Sequence, residues 1–191
     1  MNQAPSAGNL VNTLAGDREA VTRGAPSADG GLRDSLEFHL LGKKVLVLGV
    51  GNRLRGDDGL GPVLIDRLAG RLSASLLDAG DVPEDYLGPI EDSGAEVLLV
   101  LDAVDFGGRP GDVALLDASQ LSQAGFSTHA GSLNLLPQAI PVHKRPSMMI
   151  LAVQPSATGL GSGLSALVMV ALDCIERMLI QVFGPPSAST R

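Results

Sequence analysis

Four aspartates follow or interrupt apolar runs at three points of the chain, and these side chains are the clearest candidates for a functional role. Asp57 and Asp58 come after the apolar run 45–48, Asp78 ends a second run, and Asp102 interrupts a third. A carboxylate in a buried strand is costly unless it is paired, hydrogen bonded or bound to a cation. One such Asp is most often a hydrogen-bonded carboxylate, but several that converge on one sheet edge make a cation site a competing interpretation.

One histidine complements these carboxylates. His129 lies in the polar segment 127–131, before a predicted helix. A neutral imidazole with two carboxylates suits a borderline divalent ion such as nickel or zinc. The alternative for His129 is a solvated loop histidine, and that is our interpretation of His39 in the N-terminal part and of His143 in a basic segment.

The segment 49–61, which reads GVGNRLRGDDGLG, lies between the first predicted strand and a predicted helix. A dinucleotide fingerprint would place Leu54 where the third glycine belongs, and the two carboxylates would repel a pyrophosphate, so nucleotide binding is disfavoured. Helix capping by Asp explains one of the two acids but not both. We therefore assign Asp57 to capping or loop support and Asp58 to chemistry.

Composition excludes several classes of function. A length of 191 residues fits one domain with a sizeable core. The net charge of −7 disfavours nucleic acid and anionic membranes as partners. The single Cys174 excludes an intramolecular disulfide and a cysteine zinc cluster, and its apolar surroundings predict a buried structural thiol. No segment has the pattern of a membrane span or a signal peptide, so a cytoplasmic location is expected.

Strands that alternate with helices predict a single-domain α/β fold, with a twisted, mostly parallel five-stranded sheet and helices on both faces. Residues 1–43 are expected to be a disordered extension with a short apolar anchor at 36–41, residues 44–183 the domain, and 184–191 a flexible tail. Predicted strands cover 45–48, 75–78, 96–103, 112–116 and 148–153, and predicted helices 59–72, 83–93, 118–124, 132–139 and 164–183.

These motifs resemble, in order, those of the [NiFe]-hydrogenase maturation endopeptidases. The segment 49–61 is similar to the family signature G-x-G-N-x-L-x-x-D-[DE]-G-x-G. Four shorter segments resemble the family's D-G-G, its D-A at a strand end, its single loop histidine and its [QE]-P, namely Asp78-Ala79-Gly80, Asp102-Ala103, Thr128-His129 and Gln154-Pro155. The resemblance covers about residues 44–183 and is strongest to the branch that serves the hydrogenase of formate hydrogenlyase.

The resemblance implies a cytoplasmic endopeptidase that removes a short C-terminal peptide from a hydrogenase large-subunit precursor once nickel is in place. The positions that match the family's catalytic and metal-contacting residues are Asp58, Asp102 and His129. Nickel would be supplied by the precursor, so no stored cofactor is expected. The implied partner is that precursor, with neither nucleic acid nor membrane, and a monomer is expected.

Some residues depart from the family pattern, and two other functions stay open. Asp58 replaces the Glu of many members, Ala79 and Asp81 stand where Gly and a small hydroxyl residue are common, and Ala152 replaces Gly. None removes an implied ligand, but substrate fit around Asp81 is open. The alternatives are a non-catalytic nickel-checking or chaperone module on the same fold and, less favoured, a Rossmann-type nucleotide binder.

The strand pattern also makes a geometric prediction. If the first and third strands are parallel neighbours, Asp58 and Asp102 face one cleft at the same sheet edge. His129 must then fold over that edge from the loop after the fourth strand, with Asp78 or Asp81 at the rim.

Overall fold

A computed structural model describes residues 31–117 and 129–185, and a five-stranded sheet forms the centre of the fold. The strand order is β2-β1-β3-β5-β4, where β4 is antiparallel to β5 and the other neighbours are parallel. This confirms the predicted α/β fold with a mostly parallel sheet. The strands are β1 (Val45–Val50), β2 (Ser75–Gly80), β3 (Val97–Ala103), β4 (Val113–Asp117) and β5 (Ser147–Val153).

Helices cover both faces of the sheet, as predicted. Alternate residues of the central strands enter two separate cores, because side chains point to opposite faces along a strand. Val47 and Leu99 pack with α1, α2 and α5, whereas Leu48 and Val100 pack with α3 and α4. The helices are α1 (Leu32–Leu40), α2 (Leu60–Leu68), α3 (Leu87–Asp92), α4 (Ala130–Ala139) and α5 (Ala166–Phe183).

Helix α2 packs unusually close to the sheet because it carries Gly61 at the contact. A Cβ built on Gly61 would lie 2.3 Å from the carbonyl oxygens of both Val50 and Leu101. No side chain fits at that distance. The glycine therefore holds the start of α2, and the turn before it, against the carboxyl ends of β1 and β3.

Helix α1 shows that the N-terminal prediction was wrong for part of its length. Residues 32–40 form a helix whose Leu36 and Leu40 are fully buried against α5, where the sequence suggested only a short anchor in a disordered extension. Leu32, Leu36 and Leu40 recur every fourth residue and so share one helical face. Residues 1–30, the predicted helix at 118–124 and most of the predicted tail lie outside the described residues.

Two other side chains differ from their predicted environments. Cys174 on α5 is half-buried rather than buried, and it accepts a hydrogen bond of 3.4 Å from Arg177 Nη2. His39 is half-buried rather than solvated, and its Nδ1 donates to the carbonyl oxygen of Ser35 over 2.7 Å. His143 is exposed, as expected. Among the described residues, no helix is long and apolar enough to cross a membrane.

Candidate active site

Asp58 and His129 meet at the carboxyl ends of the parallel strands. Asp58 lies in a 3₁₀ turn (Gly56–Gly59) between β1 and α2, and His129 immediately precedes α4. The two side chains are 2% and 7% exposed, and His129 Nε2 lies 3.5 Å from Asp58 Oδ1. That distance is typical of an ion pair rather than of a good hydrogen bond. The prediction that His129 folds over the same edge as Asp58 is confirmed.

Asp102 lies at the same edge, one residue before the end of β3, and is fully buried. Strands β1 and β3 are parallel neighbours, as the geometric prediction required, and the charge of Asp102 acts on His129. Within residues 31–117 and 129–185, however, no three His, Cys, Asp or Glu side chains are arranged to hold a metal ion by themselves. The assignment of Asp58, Asp102 and His129 as metal ligands and catalytic groups thus stays a prediction.

The acids around His129 determine its protonation. Burial lowers the pKa of His129, but the carboxylate of Asp58, the charge of Asp102 and a hydrogen bond to the backbone carbonyl of Asp81 together outweigh it. The pKa therefore lies above its ordinary value of 6.5. Because the folded state raises this pKa, the interaction contributes stability that is fully present below pH 6.5 and is lost as the pH rises through the folded pKa.

We expect the Asp58→Asn variant to lower the pKa of His129, because the interaction with the Asp58 carboxylate is the largest of the effects that raise this pKa. Proton NMR titration of the His129 ring, assigned with a His129→Gln variant, measures this directly. The wild-type midpoint should lie above 6.5 and the variant midpoint below that of the wild type. Identical midpoints in the two proteins would show that Asp58 does not interact with His129 in solution.

Asn52 connects Asp58 to the end of β2. Its backbone N–H donates to Asp58 Oδ2 over 2.9 Å, and its side-chain Nδ2 donates to Asp81 Oδ2 over 2.9 Å. Asp81 in turn contacts His129 through its backbone carbonyl. Asn52 therefore holds Asp58 directly and supports Asp81, which contacts His129. The prediction placed Asp78 or Asp81 at the rim of the cleft, and both acids line a second cavity that Asn52 also lines.

The turn before Asn52 requires glycine. Gly51 has φ of 127°, a conformation that other residues rarely adopt, and a Cβ there would lie 1.8 Å from the backbone oxygen of Asp58. The first glycines of the segment 49–61 thus bring the backbone of the acidic turn close to the end of β1, instead of cradling a phosphate.

Asp57 supports the neighbouring loop, as predicted. Its carboxylate is fully buried and accepts three backbone N–H groups, from Ser156 and Ala157 at 2.8 and 2.9 Å and from Ser165 at 2.6 Å. Ser165 is the residue that precedes α5. Asp57 therefore joins the acidic turn to the loop after β5 and to the start of α5, while Asp58 beside it faces His129.

A cavity of about 280 Å³ opens beside Asp58. Gln154, 7% exposed, forms one wall and orders the opposite loop, since its Oε1 accepts from the backbone of Phe106 and Gly108 and its Nε2 donates to Asp105, each at 3.0 Å. Its role was not predicted, although its position directly after a buried strand was a signal. The cavity is lined by Asp58, Ala103, Asp105, Gln154, Pro155, Ser156, Ala157 and Thr158.

A second cavity, of about 230 Å³, lies on the other side of Asn52, and acids and Arg53 line it. Arg53 donates to Asp66 over 2.6 Å and to Asp78 over 2.7 Å, and these two hydrogen bonds raise the pKa of Arg53 above its ordinary value. The strand-end Asp78 is thus paired with an arginine. We therefore assign Asp78 a structural role, as the ion-pair partner of Arg53.

The same family emerges from comparison with known sequences. The family described as "Hydrogenase maturation protease" matches residues 64–182. The hydrogenase 3 maturation protease of Escherichia coli strain K12 is 30% identical over 117 residues, which are 60% of this chain and 74% of that protein. The hydrogenase expression/formation protein HupD of Rhodobacter capsulatus is 41% identical over 109 residues, which are 49% of this chain and 51% of that protein.

Solved structures agree with the sequence comparison. The crystal structure of a [NiFe] hydrogenase maturation protease, HycI, from Thermococcus kodakarensis KOD1 superimposes with a TM-score of 0.70 at 26% identity, covering 77% of this chain and 97% of that one. The crystal structure of a hydrogenase 3 maturation protease has a TM-score of 0.65 at 26% identity, covering 74% of this chain and 92% of that one.

Proposed function

This chain belongs to the hydrogenase maturation protease family, and we propose that it is the endopeptidase that removes a C-terminal extension from the nickel-loaded precursor of a [NiFe]-hydrogenase large subunit. The observation that carries the proposal is the buried Asp58–His129 pair, 3.5 Å apart at the carboxyl end of a parallel sheet, in which Asp58 also lines a cavity. Ligands of α/β sheets bind at that end of the strands.

Nickel belongs to the substrate in this proposal. The precursor brings the ion to the edge of the sheet, where Asp58, Asp102 and His129 contact it. Two carboxylates and an imidazole suit a borderline divalent ion.

The roles of the three residues follow from their surroundings. Asp58 is held by the backbone N–H of Asn52 at Oδ2, so Oδ1 is the oxygen that faces His129. His129 binds a metal ion only when it is neutral, so its raised pKa makes recognition weaken as the pH falls through that pKa. Asp58, Asp102 and His129 would hold the metal of the precursor, and the metal would either polarise the scissile carbonyl or lower the pKa of an attacking water.

Incubating the purified protein with nickel-loaded and nickel-free precursor tests the proposal. We expect the intact mass of the loaded precursor to fall by the mass of a C-terminal peptide, because the metal completes the site. The nickel-free precursor should keep its mass, and reloading it with nickel should restore cleavage. Mass spectrometry of both proteins and of the released peptide provides the measurement.

Two outcomes would contradict the proposed function. Equal cleavage of both precursors would exclude nickel as the recognition element. An unchanged mass together with a stable complex on size-exclusion chromatography would favour the alternative, a non-catalytic nickel-checking or chaperone module.

A further inference from the structure

Two exposed leucines stand beside the cavity that contains Asp58. Leu54 is 68% exposed and Leu160 is 82% exposed. Their loops are joined by a hydrogen bond of 2.8 Å from the Gly161 N–H to the Leu54 carbonyl oxygen. Leu160 lies two residues beyond Thr158, which lines the cavity. We call Leu54 and Leu160 the leucine rim.

The backbone below the leucine rim is firmly held. The Gly56 N–H donates to the Ser162 carbonyl oxygen over 3.1 Å, and the Asp57 N–H donates to the Ala157 carbonyl oxygen over 2.9 Å. The buried carboxylate of Asp57 adds its three bonds from the same side. Side chains displayed from an ordered backbone lose less entropy on binding, so this rim is prepared for a partner.

The local sequence leaves Leu160 uncovered. The segment 158–163 reads TGLGSG, so Leu160 is its one large apolar residue, between glycines and hydroxyl residues. Ser162 Oγ donates to the Gly159 carbonyl oxygen over 2.8 Å and closes the loop around it. The glycines and the serine of this loop have no large apolar side chain to cover Leu160, which is 82% exposed.

The cavity beside Asp58 is small, and its size indicates how a protein substrate would reach the leucine rim. Sites that enclose a small molecule have volumes of about 300–1,000 Å³, and this cavity, at about 280 Å³, admits only a short part of a polypeptide. The rest of a protein substrate must lie outside the cavity and pass over its edge. Residues 156–158 line the cavity next to Asp58, and backbone hydrogen bonds join the segment 54–57 to the loop 157–162 that continues from them.

We propose that the leucine rim is a docking surface for the hydrogenase large-subunit precursor, and that it packs against an apolar side chain of the precursor next to the segment that enters the cavity. The inference rests on the proposed function. It adds a contact that holds the precursor as a protein, separate from the contacts to its nickel. Burying Leu54 and Leu160 together supplies affinity that the polar cavity alone does not.

Leu54→Ser and Leu160→Ser, singly and together, test the docking surface with nickel-loaded precursor. We expect each single variant to reduce kcat/KM by about tenfold, equivalent to about 1.4 kcal/mol, and the double variant to reduce it further. The Kd measured by surface plasmon resonance should rise by the same factors. The single-turnover rate at saturating enzyme should not change, because the leucines act on binding.

The chain offers controls with similar exposure at the opposite edge of the sheet. Val142, 80% exposed before β5, matches Leu160, and Leu41, 58% exposed before β1, matches Leu54. Val142→Ser and Leu41→Ser should leave kcat/KM and Kd within about twofold of wild type. All variants replace exposed side chains, and equal thermal denaturation midpoints confirm that none is unfolded.

Rim variants that behave like the controls would overturn the inference. So would a wild-type protein that dimerises in light scattering and becomes monomeric on rim substitution, since a second copy would then cover the leucines. Failure of the wild type to cleave would refute the proposed function alone, because the Kd comparison still tests whether the rim binds the precursor.

Discussion

An Asp58→Asn variant is expected to lose at least about a hundredfold in the rate of precursor cleavage while it remains folded. Asp58 is buried and its Oδ1 lies 3.5 Å from His129 Nε2, so the carboxylate is placed to act with that ring. Positioned acid–base or metal-contacting groups typically contribute about 10²- to 10⁴-fold to a rate. Asn keeps an oxygen that can accept the backbone N–H of Asn52, so the local turn survives.

Cleavage of nickel-loaded precursor at saturating concentration, followed by mass spectrometry, measures this loss. Asp85→Asn is the matched control, because Asp85 is an exposed acid in the turn after β2 and should leave the rate unchanged. An Asp58→Asn enzyme with wild-type kcat would remove Asp58 from the mechanism. A loss confined to KM would reassign Asp58 from the reaction to recognition of the substrate.

Replacing the adjacent Asp57 should have a different effect, on stability. We expect Asp57→Ala to lower the free energy of unfolding by about 3–5 kcal/mol, because three backbone N–H groups lose a charged acceptor in a buried place. The thermal midpoint should fall by about 10 °C or more. Asp57→Asn should cost less, since the amide keeps the shape and one acceptor oxygen.

Urea denaturation followed by circular dichroism provides the free energies. Asp85→Ala serves as the control, and its stability should stay within about 0.5 kcal/mol of wild type because the side chain is exposed. If Asp57→Ala were as stable as this control, the three bonds would not hold the loop after β5 in solution.

The sequence predicted that Asp57 and Asp58 have different roles, but it did not predict the residues that each of them contacts. Paired acids at the end of a buried strand suggested one structural and one chemical carboxylate, and Asp57 is indeed the structural one. The partners of Asp57 were not predictable, because Ser156 and Ser165 are brought to it by the packing of a loop and a helix from the far end of the chain. Local patterns contain no record of such contacts.

In the sheet, too, the burial of the strands was predictable from the sequence, whereas their order was not. Uninterrupted apolar runs indicated buried parallel strands, and the more polar run at 112–116 indicated an edge, which β4 occupies. The proximity of Asp58 and Asp102 depended on whether β1 and β3 are neighbours, and only the structure supplied that order. Gln154 and Asn52 were missed as supporting residues because polar side chains at strand ends and turns are common and their importance lies in what they contact.

The contacts of Asp57 also determine when the acidic turn can fold during synthesis of the chain. Its hydrogen-bond donors lie 99, 100 and 108 residues further along the chain. Ribosomes add about 5–20 residues per second, so these hydrogen-bond donors are synthesised several seconds after Asp57. The acidic turn, the cavity wall and the leucine rim therefore reach their final arrangement only after Ser165 has left the exit tunnel. A nascent or prematurely terminated chain that lacks Ser165 also lacks one of the three hydrogen bonds that fix the acidic turn.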